Sequence, residues 1–291
     1  MKFVRAKKLA AAALTFCILL IAAGPLMAQD QGEAKSLHVK HEISTTGLPL
    51  FGAIVVYNSQ DIQGESLSRS TRSSKITMND SVVSDVVVIT ITDMDAKKQI
   101  YVNPKTNTYA EKEFQPSEFE VIDTIADAKG PQMEIKRTGK TKEIDGFKCE
   151  EIYFKLDKSS STGVGEAKVK HYFEGTMWVT NDIPNGELYY NYNAFAQNYF
   201  RGSNYNSGGF FDILARLDVD SYNLIRLVEA LNGVPVQASF VAQLPSATGG
   251  NVFETKIKLI EHSTEPFEKG HFTAPEDEKY NQVPVGEFRA F

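Results

Sequence analysis

Apolar and polar residues alternate singly where the soluble part of this chain begins. Leu37, Val39, His41 and Ile43 take one parity, and Ser36, His38, Lys40 and Glu42 the other. A period of two places one set on each face of a strand, so this stretch predicts a half-buried β-strand. Phe51–Tyr57 reads as a second strand. The Ser- and Thr-rich run from Ser66 to Met78 reads as a solvated or edge strand. Val86–Thr92 (Val-Val-Val-Ile-Thr-Ile-Thr) is β-branched throughout and predicts a buried one.

Turn chemistry separates these runs. Asp93-Met94-Asp95 leads to a strand at Gln99–Val102, and Asn103-Pro104-Lys105-Thr106-Asn107 turns the chain back at Thr108-Tyr109. Strands follow at 132–140 and 147–156, joined by Asp145-Gly146, a pair suited to a hairpin with positive φ. After a Ser/Gly loop at 159–165, another strand pair is expected over 167–173 and 175–180, and the last two near 234–242 and 252–261. Many short strands with turns between them describe an antiparallel sheet rather than βαβ units.

The period shifts to helical in one region. Phe210, Phe211, Ile213, Leu214 and Leu217 form an apolar stripe. Ser221 then opens a second helix carrying Leu224, Ile225, Leu227, Val228 and Leu231, stopped by Asn232-Gly233 and Pro235. The expected architecture is α+β: one curved antiparallel sheet closing over a few helices, with a helical hairpin inserted between strands.

The N-terminus sets the compartment. Lys2, Arg5, Lys7 and Lys8 precede an apolar run from Leu9 to Ala23, which is shorter than the roughly 18–20 residues a stable membrane span requires. Gly24-Pro25 and Leu26-Met27-Ala28 complete a signal peptide with cleavage expected after Ala28. Cys17 lies inside the apolar run beside Phe16, not at its end behind small residues, so lipidation is not expected. The reading is therefore residues 1–28 signal, 29–36 a flexible lead-in, 37–280 one β-rich domain and 281–291 a polar tail. The protein is expected in the periplasm or secreted, and not integral to a membrane.

Removing the signal takes four of the 31 basic residues and no acidic ones. That leaves 27 against 37 acidic residues, a net charge of −10. Such a chain is repelled by phosphate backbones, which argues against a nucleic-acid partner. Cys149 is then the only cysteine, so no internal disulfide forms and packing must hold the core.

A search for catalytic constellations returns little. HExxH, CxxC, GxSxG and phosphate-binding glycine loops are absent. His38 and His41, three apart, point to opposite faces of their strand. His262 and His271 have no acidic or cysteine neighbour at ligand spacing, so the histidines read as ordinary surface residues. Cys149 shares a strand face with Phe147 and Glu151 and reads as packing. Asp93-Met94-Asp95 lacks the continuation of a calcium loop and reads as a β-turn. No catalytic residue, metal ligand or cofactor is expected. The unusual feature is Leu188–Phe200, where Tyr190, Tyr192 and Phe195 interleave with Asn and Gln amides. Those rings suit either a surface that contacts another molecule or cover for the sheet.

Several segments together resemble an uncharacterised envelope family, domain of unknown function 4412: Ile91–Tyr109, Gly139–Glu150, Met177–Pro184, Asn232–Val236 and Phe272–Pro275. That family's pattern is similar to LolA-like lipoprotein carriers. The resemblance implies a half-barrel over helices with an apolar cavity between. On it, the chain reads as a non-catalytic carrier for an apolar ligand such as an acyl chain or lipid. The expected lining is Phe210, Phe211, Leu214, Leu217, Leu224 and Val228, with Tyr190, Tyr192 and Phe195 nearby. The same stripe would equally suit a filled core. The alternative is an envelope interaction module that meets a protein or glycan through segment 188–205.

Overall fold

The computed structural model describes residues 34–47, 53–78, 81–114, 131–158, 160–161, 168–169, 171–199, 221–244 and 251–289. The expected signal segment and Phe210–Leu217 lie outside the described residues. Lys35–Phe291 is one compact unit.

Six strands follow one another as hairpins: β1 (Ser36–Thr46), β2 (Ala53–Gln63), β3 (Leu67–Met78), β4 (Ser81–Asp93), β5 (Lys98–Asn103) and β6 (Thr108–Glu113). A second series holds β7 (Glu134–Ile144), β8 (Phe147–Asp157), β11 (Tyr172–Thr180), β12 (Val234–Leu244) and β13 (Asn251–Ser263). A short ribbon, β9 (Ser160–Ser161) with β10 (Lys168–Val169), stands apart from the sheet. Strand β13 pairs with β1 and joins the two series, and β14 (Asn281–Gln282) adds to β6 in parallel. The result is a curved, unclosed sheet of twelve strands in the order β14-β6-β5-β4-β3-β2-β1-β13-β12-β11-β8-β7. Helices α1 (Glu187–Tyr199) and α2 (Ser221–Leu231) are both inserted between β11 and β12 and pack on each other.

Local chemistry accounts for the boundaries. Asp145 (φ 50°) and Gly146 (φ 86°) make the tight β7–β8 hairpin. Asp93 Oδ1 accepts the Ala96 amide at 2.8 Å, and Asn103 Oδ1 accepts those of Lys105 and Thr106, closing the two turns read from sequence. Helix α2 begins at Ser221, and Asn232 leaves it at φ 42°. Pro235 sits in an interior strand where β11 and β12 slip register, a place that tolerates a missing donor.

Two expectations are corrected. Tyr172–Thr180 is one strand, β11, with no break near 174; Gly175 lies within it because β12 approaches so closely that a Cβ there would stand 2.4 Å from the Cβ of Phe240. And 188–199, read only as an aromatic–amide run, is helix α1. Leu188, Tyr189, Tyr192 and Ala196 recur at helical spacing and are all buried.

The main core lies on the helix side. Strands β1, β13, β12, β11 and β8 contribute Val39, Leu259, Phe240, Met177 and Phe154. Leu188 and Tyr192 of α1 and Leu224, Leu227, Val228 and Leu231 of α2 complete it. Phe154, Phe173 and Phe240 make mutual ring contacts at its centre, with centroids 4.7–6.3 Å apart.

Candidate ligand-binding site on the outer face

Continuing along the helix side past β2, the same face turns polar. Asn58, Gln60, Ser68, Ser70, Thr90, Thr92 and Gln99 are all buried there. A side-chain ladder satisfies them. Ser70 donates to Asn58 at 3.2 Å, Gln60 to Ser68 at 3.3 Å, Gln99 to Thr92 at 3.2 Å and Tyr101 to Gln99 at 2.7 Å. Asn193 of α1 closes it by donating to Gln60 at 3.2 Å. Burying amides and hydroxyls is tolerable only when they are paired in this way.

Apart from Ile62 and Val88, which stay on the helix side, the apolar residues of that half gather on the outer face. Ile91, Ile100 and Val102 form a second core cluster with Ile89, Tyr109, Phe272, Ala274 and Tyr280. Strand register shows how it is built. His38 pairs with Asp61, Asp61 with Arg69, Arg69 with Ile91 and Ile91 with Ile100. One row of cross-strand neighbours thus changes from charged to apolar as it crosses β1 to β5.

The segment after β13 crosses this row as a strap. Its start is fixed at Asp61, whose two oxygens take His38 Nδ1 at 2.5 Å and His271 Nε2 at 2.6 Å. Arg69 Nη1 donates to the His271 carbonyl at 2.9 Å, and Phe267 stacks on the His271 ring with centroids 4.7 Å apart. Its far end is fixed by the amides of Asn281 and Val283, which donate to the carbonyls of Asn107 and Tyr109. Burial works to raise the Asp61 pKa, but the hydrogen bonds and charges of the two imidazoles hold it below the usual carboxylate value. Burial pushes the Arg69 pKa down, opposed by the Asp61 charge; a guanidinium starts so high that it remains a cation.

Between strap and sheet lies a cleft of about 610 Å3, within the range of small-molecule sites. Ile89, Ile91 and Val102 form its floor, Thr273, Ala274, Pro275 and Tyr280 its strap wall, and Arg69 and Lys269 bring cationic groups to it. Glu276 lines it as well and is exposed.

The residues expected to line a helix-side cavity fall in three groups. Leu224, Val228 and Tyr192 are buried in the main core at 2 % exposure or less. Tyr190 is half-buried, and Phe195 is 46 % exposed. Phe210, Phe211, Leu214 and Leu217 fall outside the described residues. His38 and His41 do point to opposite faces, but neither is an ordinary surface histidine. His41 is 2 % exposed and donates from Nε2 to the Pro235 carbonyl at 2.8 Å. Its burial lowers its pKa to about 4, and that hydrogen bond offsets the effect only in part. His271, read without an acidic neighbour, meets Asp61 from 210 positions away in the chain. Among the described residues no cluster of three or more His, Cys, Asp or Glu could hold a metal. Neither imidazole on Asp61 has a hydroxyl or thiol among its hydrogen-bond partners. Cys149 is buried, with its pKa raised first by that burial and then by Asp182.

Sequence reading missed Asp61, Arg69, Ile89, Ile91, Val102 and Ala274. The available signal was the run Val86–Thr92, apolar or β-branched at both parities, which requires cover on both faces of β4.

No protein-family model matches the chain, and no curated protein matches it. Among solved structures, a LolA superfamily protein from Nitrosomonas europaea is similar to it at 9 % identity and a TM-score of 0.27. The match covers 83 % of this chain and 91 % of that one. The functional reading below is carried by the chain's own residues. No helix among the described residues is long and apolar enough to cross a membrane.

Proposed function

We propose that this chain is a non-catalytic binding or carrier protein of the bacterial periplasm for a small apolar-chain ligand. The ligand is held in the outer-face cleft rather than beneath the helices. The observation that carries this reading is the cleft itself: about 610 Å3 between an isoleucine and valine floor and a strap anchored at both ends. On the helix side Leu224, Val228 and Tyr192 are packed into the main core. The interaction reading for segment 188–205 loses Tyr189 and Tyr192 to the core as well.

The cleft also sets a ligand size. From Arg69 on β3 to Val102 on β5 it spans two interstrand spacings or about 10 Å, room for roughly eight methylenes. At ~0.8 kcal/mol each these supply about 6 kcal/mol of gross driving force, against which the cost of association is charged.

The test is a fluorescence titration of the mature protein with a fluorescent medium-chain fatty acid, repeated on Ala274→Trp, which places an indole in the cleft. Saturable binding that weakens at least tenfold in the variant is expected. Binding that is absent, or indifferent to Ala274→Trp, removes the cleft as the site.

A further inference from the structure

The cleft is asymmetric. At the β5 end its floor is hydrocarbon, contributed by Val102 and Ile89. At the β3 end stands Arg69, half-buried, with Lys269 on the strap beside it. The guanidinium has five N–H donors, and its one side-chain hydrogen bond among the described residues is to the His271 carbonyl. Asp61 acts on it through its charge but makes no contact ion pair with it: its two oxygens take His38 and His271. No ion pair to Arg69 forms within 4 Å among the described residues, whereas most of the exposed lysines of β7 and β13 have a carboxylate partner. A partly desolvated cation with no contact ion pair, at one end of an apolar slot, is unusual because such a charge is costly unless paired.

Resting on the cleft as the ligand site, we propose that it selects amphiphiles with a single anionic head on a chain of about eight carbons, a medium-chain carboxylate being the simplest. The head takes the free N–H donors of Arg69, a planar fork that matches a carboxylate, with Lys269 as a second cation. The chain lies across Ile91 toward Val102. The two imidazoles have a defined part in this: they occupy both oxygens of Asp61, so the remaining N–H donors of Arg69 are left for the ligand. Glu276 is the one acidic residue lining the cleft; it is solvated and disfavours a second negative charge on the ligand.

The experiment is calorimetric titration of the mature protein with octanoate, 1-octanol, octylammonium and acetate at low salt. Octanoate is expected to bind at least tenfold tighter than octanol, with octylammonium weakest and acetate undetected. Arg69→Gln should bring octanoate to the octanol level, and Lys269→Gln should weaken octanoate severalfold. In each variant the loss should fall on octanoate far more than on octanol titrated into the same variant, which separates loss of the head-group contact from a loosened strap. Lys269 is exposed, so its variant keeps the test open if Arg69→Gln does not fold. Equal binding of octanoate and octanol overturns the head-group assignment while leaving the cleft as an apolar site. Acetate binding as tightly as octanoate overturns it in favour of a simple anion site. Binding by none of the four overturns the cleft and the head-group assignment together.

Discussion

The two halves of one sheet solve the burial problem in opposite ways. From β1 through β13, β12 and β11 to β8, the helix side is apolar and the helices cover it. From β2 to β5 that same side carries mostly Asn, Gln, Ser and Thr in a hydrogen-bonded ladder, with Ile62 and Val88 as exceptions, and a second apolar cluster faces outward. The first half gets its cover from helices that also supply their own apolar stripes. The second gets its outer cover from a strap with little secondary structure, held by a few anchoring contacts. A helix can interdigitate with a sheet and leave no space. A strap fixed at its ends leaves a cleft. The proposed ligand site lies in the half with the thinner cover.

Three perturbations separate the halves. The largest effect belongs to the packed half: Phe240→Ala removes the ring that contacts both Phe154 and Phe173 and should cost about 3–5 kcal/mol by denaturant unfolding. Its effect on ligand affinity should be small, and a large one would mean that the halves are coupled.

The next is acid sensitivity at the seam where β1 meets β13. His41 has an ordinary pKa of 6.5 unfolded and about 4 folded. Its contribution is therefore complete above pH 6.5 and is lost progressively as pH falls toward 4. The loss is on the order of 3 kcal/mol, since each unit is worth 1.36 kcal/mol. Unfolding measured at pH 7 and pH 4.5 should show it, and His41→Asn should flatten that dependence. An unchanged slope in the variant would assign the acid loss to another group.

The smallest effect is on the strap. Asp61→Asn removes a charged acceptor from both imidazoles and should cost about 2 kcal/mol. It should appear as faster hydrogen exchange at His271 and Thr273 with Val39 and Ile257 unchanged. In the unmodified protein Asp61 titrates below the ordinary carboxylate value. Its contribution is thus complete above that ordinary value and is lost only as pH falls through the depressed folded one, below the His41 window. Protection of the strap that disappeared already near pH 6 would contradict this anchoring.

How much of this was legible follows from where each signal resides. Strand β1 declares itself because its two faces differ, and β4 because neither parity is charged from Val86 to Thr92. The Asp145-Gly146 and Asn103–Asn107 turns are legible because their side-chain chemistry is local. Helix α1 was obscured because Tyr and Asn are weak helix formers, so its spacing at 188, 189, 192 and 196 carried the only message. The Asp61 cluster was invisible, since His38 and His271 lie 23 and 210 positions away and no local pattern links them.

The sequence by itself determined the class of the molecule: strands from period-two patterning, turns from Asn, Asp, Gly and Pro, helix α2 from its stripe and stop signal. These depend on neighbours within a few residues. Tertiary structure decided which face of each strand is interior. Ile89 and Ile91 face outward although nothing in β4 distinguishes them from core residues. The choice is made by strand order, by β13 returning to pair with β1, and by a C-terminal strap arriving over β3 to β5. Hydrophobic burial is non-directional, so a strand with two apolar faces takes whichever covers the rest of the chain brings to it.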